Sequence, residues 1–270
     1  MSSRTDGADL DAVHEAWERF GEFDPFWAIL SLPGQEGNGW DEEAFFRSGK
    51  EEVERLLDRL GDVGRPQRFR KALDFGCGVG RLTQPLTDHF EEVVGVDIAS
   101  SMLRLARNFN RYGPRCQYVQ NTAGDLHIFP EASFDLVYST YVLQHMPLDS
   151  ARRYIEEFIR VLTPGGVAVF QFPTVKASLP VTLYRSLLSP LRLEILRMML
   201  KRLWQHGLLR GKGATVRPSD MEMHEAPTEV VRRWVRDGGG ETLQVTPIFS
   251  AAGDYAGIRW DHRCYFVTRR

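Results

Sequence analysis

Between residues 70 and 173, short apolar runs alternate with amphipathic stretches. The runs near 71–75, 92–96, 116–119, 134–139 and 166–172 read as strands. The segments between them, about 81–89, 100–111 and 149–162, read as helices, with Asp149 placed to cap the last. Strand following helix in this way implies a parallel sheet with helices on both faces. Upstream, Leu10, Val13, Ala16, Trp17 and Phe20 recur at helical spacing. Asp24-Pro25 breaks that pattern, because a residue before proline avoids the α region. A glycine-rich link over 33–39 precedes a second helix with Phe45, Phe46, Val53, Leu56, Leu57 and Leu60 on one face. A boundary is expected within 61–66.

After residue 174 the alternation stops. Residues 185–217 carry eight Lys or Arg and one acid, Glu194, and prolines at 180 and 190 divide the stretch. It is long for a connection inside a domain and reads as a helical insertion. The domain pattern then resumes. A helix is expected over 228–237, with Val230, Val231, Trp234 and Val235 on its apolar face and three glycines after it. Final strands are expected over 243–245 and 264–268. The resulting division is a helical lid over 1–66, a ligand-binding core over 67–173, a helical cap over 174–226, and the rest of the sheet over 227–270.

Composition narrows the classes. A chain of 270 residues with 43% hydrophobic content has ample core material. A net charge of −2 gives no general attraction to nucleic acid or membranes. The three scattered cysteines, Cys77, Cys116 and Cys264, have neither disulfide nor zinc spacing and suit a cytoplasmic setting. The polar N-terminus has no signal-peptide core, and no apolar run reaches the ~18 residues of a membrane span. The basic insertion is read as the solvated face of a cap helix. An anionic substrate and an anionic membrane surface are the other readings. No basic-plus-aromatic platform for nucleic acid is visible, and no His/Asp/Glu cluster has metal-ligand spacing. The sequence leaves the oligomeric state open.

The chemistry concentrates at residues 72–80, Ala-Leu-Asp-Phe-Gly-Cys-Gly-Val-Gly. A strand, a turn without side chains and a helix start expose main-chain N–H groups to a ligand. The spacing Gly76-x-Gly78-x-Gly80 differs from the dinucleotide fingerprint G-x-G-x-x-G. Asp74, beside the turn, would repel a pyrophosphate and suits a ligand with an ammonium group. Asp97 ends the next strand, where an acid accepts hydrogen bonds from ribose hydroxyls.

This stretch resembles motif I of class I S-adenosylmethionine-dependent methyltransferases, in its D-x-G-C-G-x-G form. Gly95-Val96-Asp97-Ile98 with Met102, the strand Phe134 to Ser139, and Leu162-Thr163-Pro164-Gly165-Gly166 resemble the family's following motifs in order. The resemblance covers about residues 70–173. It implies an α/β, doubly wound, mostly parallel seven-stranded sheet of order 3-2-1-4-5-7-6, with N-terminal helices and a helical cap.

The resemblance also implies site residues. Gly76, Cys77, Gly78 and Gly80 would meet the methionine portion of S-adenosylmethionine, and Asp74 its ammonium group. Asp97 would take the ribose hydroxyls, and Ile98 and Met102 would flank the adenine. Thr122 replaces the family's usual aspartate after the third strand; Thr122 or Asp125, with the N–H of Ala123, would serve the adenine edge. Ser139, Thr140 and Gln144 would line the methionine side. His145 and His224 are the candidate general bases at the acceptor. Arg81 is open between pairing with the cofactor carboxylate and lying on the surface. The aromatics Trp17, Phe20, Phe26, Trp27 and Trp40 are open between a lid and plain packing. The implied activity is methyl transfer to a small molecule, through oxygen, nitrogen or carbon. A nicotinamide-dependent oxidoreductase and a non-catalytic, cofactor-binding partner subunit are the alternatives.

Overall fold

In the computed structural model of the chain, the described residues are 6–174, 223–248 and 261–270. The expected cap over 174–226 falls almost wholly outside them.

Among the described residues, seven strands form one sheet, in the order β3-β2-β1-β4-β5-β7-β6. They are β1 (Lys71–Phe75), β2 (Glu92–Asp97), β3 (Cys116–Gln120), β4 (Phe134–Ser139), β5 (Leu162–Thr174), β6 (Gly240–Pro247) and β7 (Asp261–Arg269). Strands β1 to β5 run parallel, with Asp74 opposite Gly95 and Asp97 opposite Gln120. β7 is antiparallel to both neighbours, with Phe170 opposite Tyr265 and Val267 opposite Thr242. The doubly wound order expected from the resemblance is the one observed.

Successive residues of the central strands point to opposite faces, and each face buries apolar side chains. On one face Val137, Ala168 and Phe170 pack with α6 (Leu148–Val161) and α7 (Thr228–Asp237), through Tyr154, Phe158, Val231 and Trp234. On the other, Leu136, Tyr138 and Val169 meet Val53, Leu56 and Leu60 of α3 (Glu42–Val63). Asp41 caps α3 by accepting from the Ala44 N–H at 2.8 Å, and Gly64 ends it in the left-handed region.

Local reading and structure differ in two places. The helix expected over 81–89 is only α4 (Thr83–Leu86). Pro85 has no N–H to give, and the bonds after it tighten to Thr87→Gln84, Asp88→Pro85 and His89→Leu86. Asp149 does not cap α6, because Pro147 holds that position and Asp149 lies inside the first turn. α5 (Ser100–Phe109) starts from Ala99, which has no capping group. Its cap comes instead from α1 (Asp6–Phe23). Glu18 accepts from the Ser100 N–H at 2.6 Å and the Ser101 N–H at 2.9 Å. Partial burial opposes ionisation of Glu18, but these donors outweigh it and bring its pKa down to about 2.

Candidate active site

β1 and β2 end side by side, and the chain leaves β1 through the glycine turn. The N–H groups of Gly76 and Cys77 both donate to Val96 O, at 2.7 and 3.0 Å, so the turn folds back over β2. Gly76 and Gly78 have φ of 75° and 53°. A Cβ on Gly76 would meet Val142 at 2.2 Å, and one on Gly78 would meet Ile29 at 2.5 Å. At both positions the backbone conformation requires glycine, and at Gly76 the close approach to Val142 does too.

Asp97 closes the turn from the β2 side. One oxygen accepts from the Gly78 N–H at 2.8 Å, the other from the Ala99 N–H at 2.9 Å. Burial raises its pKa, and these N–H donors oppose the rise. Asp74 lies deeper, 2% exposed, and accepts from Thr83 Oγ1 at 2.6 Å. Burial lifts its pKa to about 7, with the Thr83 hydrogen bond and the Arg81 charge pulling the other way.

A crevice with about 1210 Å³ of protein-free space, its open mouth included, lies over these strand ends. Gly76, Gly78, Asp97, Ile98, Thr140, Gln144 and His145 line it. Its walls also include Leu10, Val13 and Trp17 of α1, and Ala28 and Ile29 of α2 (Pro25–Ile29). Trp17 meets the His145 ring edge-on at 5.6 Å. Of the remaining aromatics, Phe20 packs against Trp17 at 5.6 Å, Phe26 stacks on Phe45 at 4.3 Å, and Trp40 donates to Leu30 O.

The other expected site residues do not line this crevice. Cys77, Met102 and Ser139 are buried, and Thr122 is exposed. The Ala123 N–H is taken by Asn121 Oδ1 at 3.3 Å, and Asn121 itself lines the crevice. Gly80 supports the turn by donating to Cys77 O. His224 is tied to the site by its backbone, which donates to Gln144 O at 2.7 Å, while its neighbour Met223 reaches the lining. Neither expectation for Arg81 holds. Its guanidinium is buried against Glu52 of α3 at 2.8 Å, and Tyr138 donates to the other Glu52 oxygen at 3.0 Å.

Sequence reasoning also missed Gln171 and His262. Gln171 is a lone amide in the apolar strand β5 and is 1% exposed. It bridges Tyr141, Gln144 and His262. The signal was its placement: a single amide inside a run that otherwise reads Val-Ala-Val-Phe.

Residues 73–170 match the family model described as "Methyltransferase domain". The match begins in β1 and ends in β5, so it contains the glycine turn, Asp97 and His145. Among curated relatives, the trans-aconitate 2-methyltransferase of Azoarcus sp. (strain BH72) is 33% identical over 137 residues, 50% of this chain and 51% of that protein. The ubiquinone biosynthesis O-methyltransferase of Methylococcus capsulatus (strain ATCC 33009 / NCIMB 11132 / Bath) is 30% identical over 171 residues, covering 63% and 62%. The chain thus matches about half to three fifths of the length of these relatives. The same fold recurs in magnesium protoporphyrin IX methyltransferase from Synechocystis PCC 6803, crystallised with bound SAH. The TM-score is 0.60 at 18% identity, over 97% of this chain and 100% of that one.

Proposed function

We propose that this chain transfers a methyl group from S-adenosylmethionine to a small-molecule acceptor. The observation that carries the reading is the meeting of the glycine turn with the Asp97 carboxylate in an apolar crevice. The crevice lies at the carboxyl ends of β1, β2 and β4, where open α/β sheets take their ligands. The residues present fit that nucleoside. Ile98 and Val96 offer apolar contact, Asn121 an amide, and Asp97 a carboxylate with lone pairs beyond the two N–H bonds it already accepts.

When bound, the cofactor supplies a methyl group already activated on its sulfonium. The chain's own task is to position and exclude water. Asp97 would hold the ribose and the turn over 76–80 the amino-acid end, with Asp74, buried beneath the turn, acting on the ammonium group through the residues that line the crevice. Met102, Thr122 and Ser139 would act at most through the residues that line the crevice. Trp17, Val13 and Leu10 of the N-terminal helices would cover the acceptor, with His145 and Gln144 beside it. The names of the Azoarcus and Methylococcus relatives support a small acceptor.

Calorimetric titration with S-adenosylhomocysteine and, separately, with NAD tests the cofactor. Tight binding of the first and none of the second is expected; binding of NAD alone overturns the reading. Turnover on a panel of small acceptors then separates an enzyme from a silent binding subunit.

A further inference from the structure

Four hydrogen bonds run in one direction along the floor of the crevice. The Tyr141 N–H donates to Gln171 Oε1 at 3.0 Å. Gln171 Nε2 faces Gln144 Oε1 at 3.2 Å and His262 Nδ1 at 2.6 Å. Gln144 Nε2 faces His145 Nε2 at 3.1 Å. Amide oxygen and nitrogen are exchangeable in principle, and a histidine can carry its proton on either ring nitrogen. The first bond removes that freedom. A main-chain N–H can only donate, so the end of Gln171 that meets Tyr141 is the oxygen. Its NH2 group then points at Gln144 and His262, and its two hydrogens serve those two acceptors. Gln144 receives with its oxygen and must present its own NH2 to His145. Both ring nitrogens in the chain are therefore acceptors.

We infer that Gln171 is a positioning residue that fixes His145 and His262 as neutral imidazoles in opposite tautomers. His262 carries its proton on Nε2 and His145 on Nδ1. A neutral imidazole has one unprotonated nitrogen. In each ring that nitrogen is committed to an amide N–H, so neither histidine takes a proton from an acceptor while the chain of bonds is intact. His145 then serves to shape the site and orient the acceptor. Deprotonation of the acceptor, where the chemistry needs it, falls to another group or to solvent. Tyr141 shows how firmly the starting point is held. Its φ is 60°, in the left-handed region that a non-glycine residue adopts only under constraint. The consequence for the acceptor rests on the methyl-transfer reading; the tautomers do not.

Long-range proton–nitrogen spectra of the 15N-labelled full chain at about pH 8 read the tautomers directly, since histidine is ordinarily neutral there. His145→Asn and His262→Asn serve to assign the rings. The expected pattern is a bare Nδ1 with a protonated Nε2 in His262, and the reverse in His145. Gln171→Glu keeps the shape but leaves no N–H to give. Gln144 must then turn its amide toward it, and both tautomers reverse. Either ring in the opposite tautomer in the unmodified protein, or unchanged rings in Gln171→Glu, overturns the inference. Should that variant not fold, the unmodified spectrum decides alone. No cofactor is added in either measurement, so a failure of the methyl-transfer reading leaves the result standing.

Discussion

The buried pair of Glu52 and Arg81 fastens α3 to the glycine turn, and its removal should be felt in both stability and binding. Their side chains are 2% and 3% exposed and stand 2.8 Å apart. A buried pair adds little net stability, because desolvation cancels most of the attraction. Removing one partner is different, since it strands a charge out of water at a cost of about 3–5 kcal/mol. Glu52→Gln is the cleanest perturbation, because the amide oxygen can still accept from Tyr138. At about 2–4 °C per kcal/mol for a chain of this size, its melting temperature should fall by roughly 6–20 °C. Glu52→Gln combined with Arg81→Met removes both charges and should recover most of that loss. Urea titration of the two single variants and the double variant gives the coupling directly. A loss under about 1 kcal/mol in Glu52→Gln, or a double variant that costs the sum of the singles, refutes the reasoning. Gly80 precedes Arg81 in the chain, so S-adenosylhomocysteine affinity should weaken in parallel.

Four further outcomes are expected. Asp97→Asn should weaken S-adenosylhomocysteine on the order of 10–100-fold by calorimetry, the loss of about one charge-assisted hydrogen bond; undiminished affinity would remove Asp97 from the site. Gly78→Ala faces φ of 53° and Ile29 at 2.5 Å. It should cost at least about 1–2 kcal/mol of stability and abolish cofactor binding, and a wild-type titration curve would contradict that. Asp74, with a pKa raised to about 7, holds its proton more tightly in the folded chain than in the unfolded one. Its contribution to stability is therefore full below about pH 4 and is lost as pH rises to 7. Asp74→Asn should flatten the urea midpoint across that window, and an unaltered pH slope would show that Asp74 does not titrate there. Glu18 shifts the other way: its stabilising contribution should disappear as pH falls from 4.5 toward 2, and Glu18→Gln should lose that acid limb in thermal melts.

The sheet was legible because parallel strands covered on both faces are nearly continuous apolar runs, and the turn because only glycine serves its backbone. Asp97 was legible from its place at a strand end. What escaped had its cause far away in the chain. Arg81 reads as a helix-start residue until Glu52, 29 positions earlier, folds against it. The cap of α5 comes from Glu18, 82 positions before Ser100. Gln171 and His262 are 91 positions apart and meet only because β7 inserts beside β5. Pairings of that kind follow from topology, and local periodicity carries no trace of them.

The position of β7 also sets an order of events for a nascent chain. β6 is made before β7, yet its place in the sheet exists only once β7 has paired with β5. On the ribosome, β1 to β5 can assemble as they emerge, while β6 has no partner until Asp261 and the residues after it have left the exit tunnel. Until then β5 presents an open edge, Ala168 to Thr174, that any exposed strand could claim. Translation pauses between β6 and β7 should therefore favour aggregation more than pauses earlier in the message.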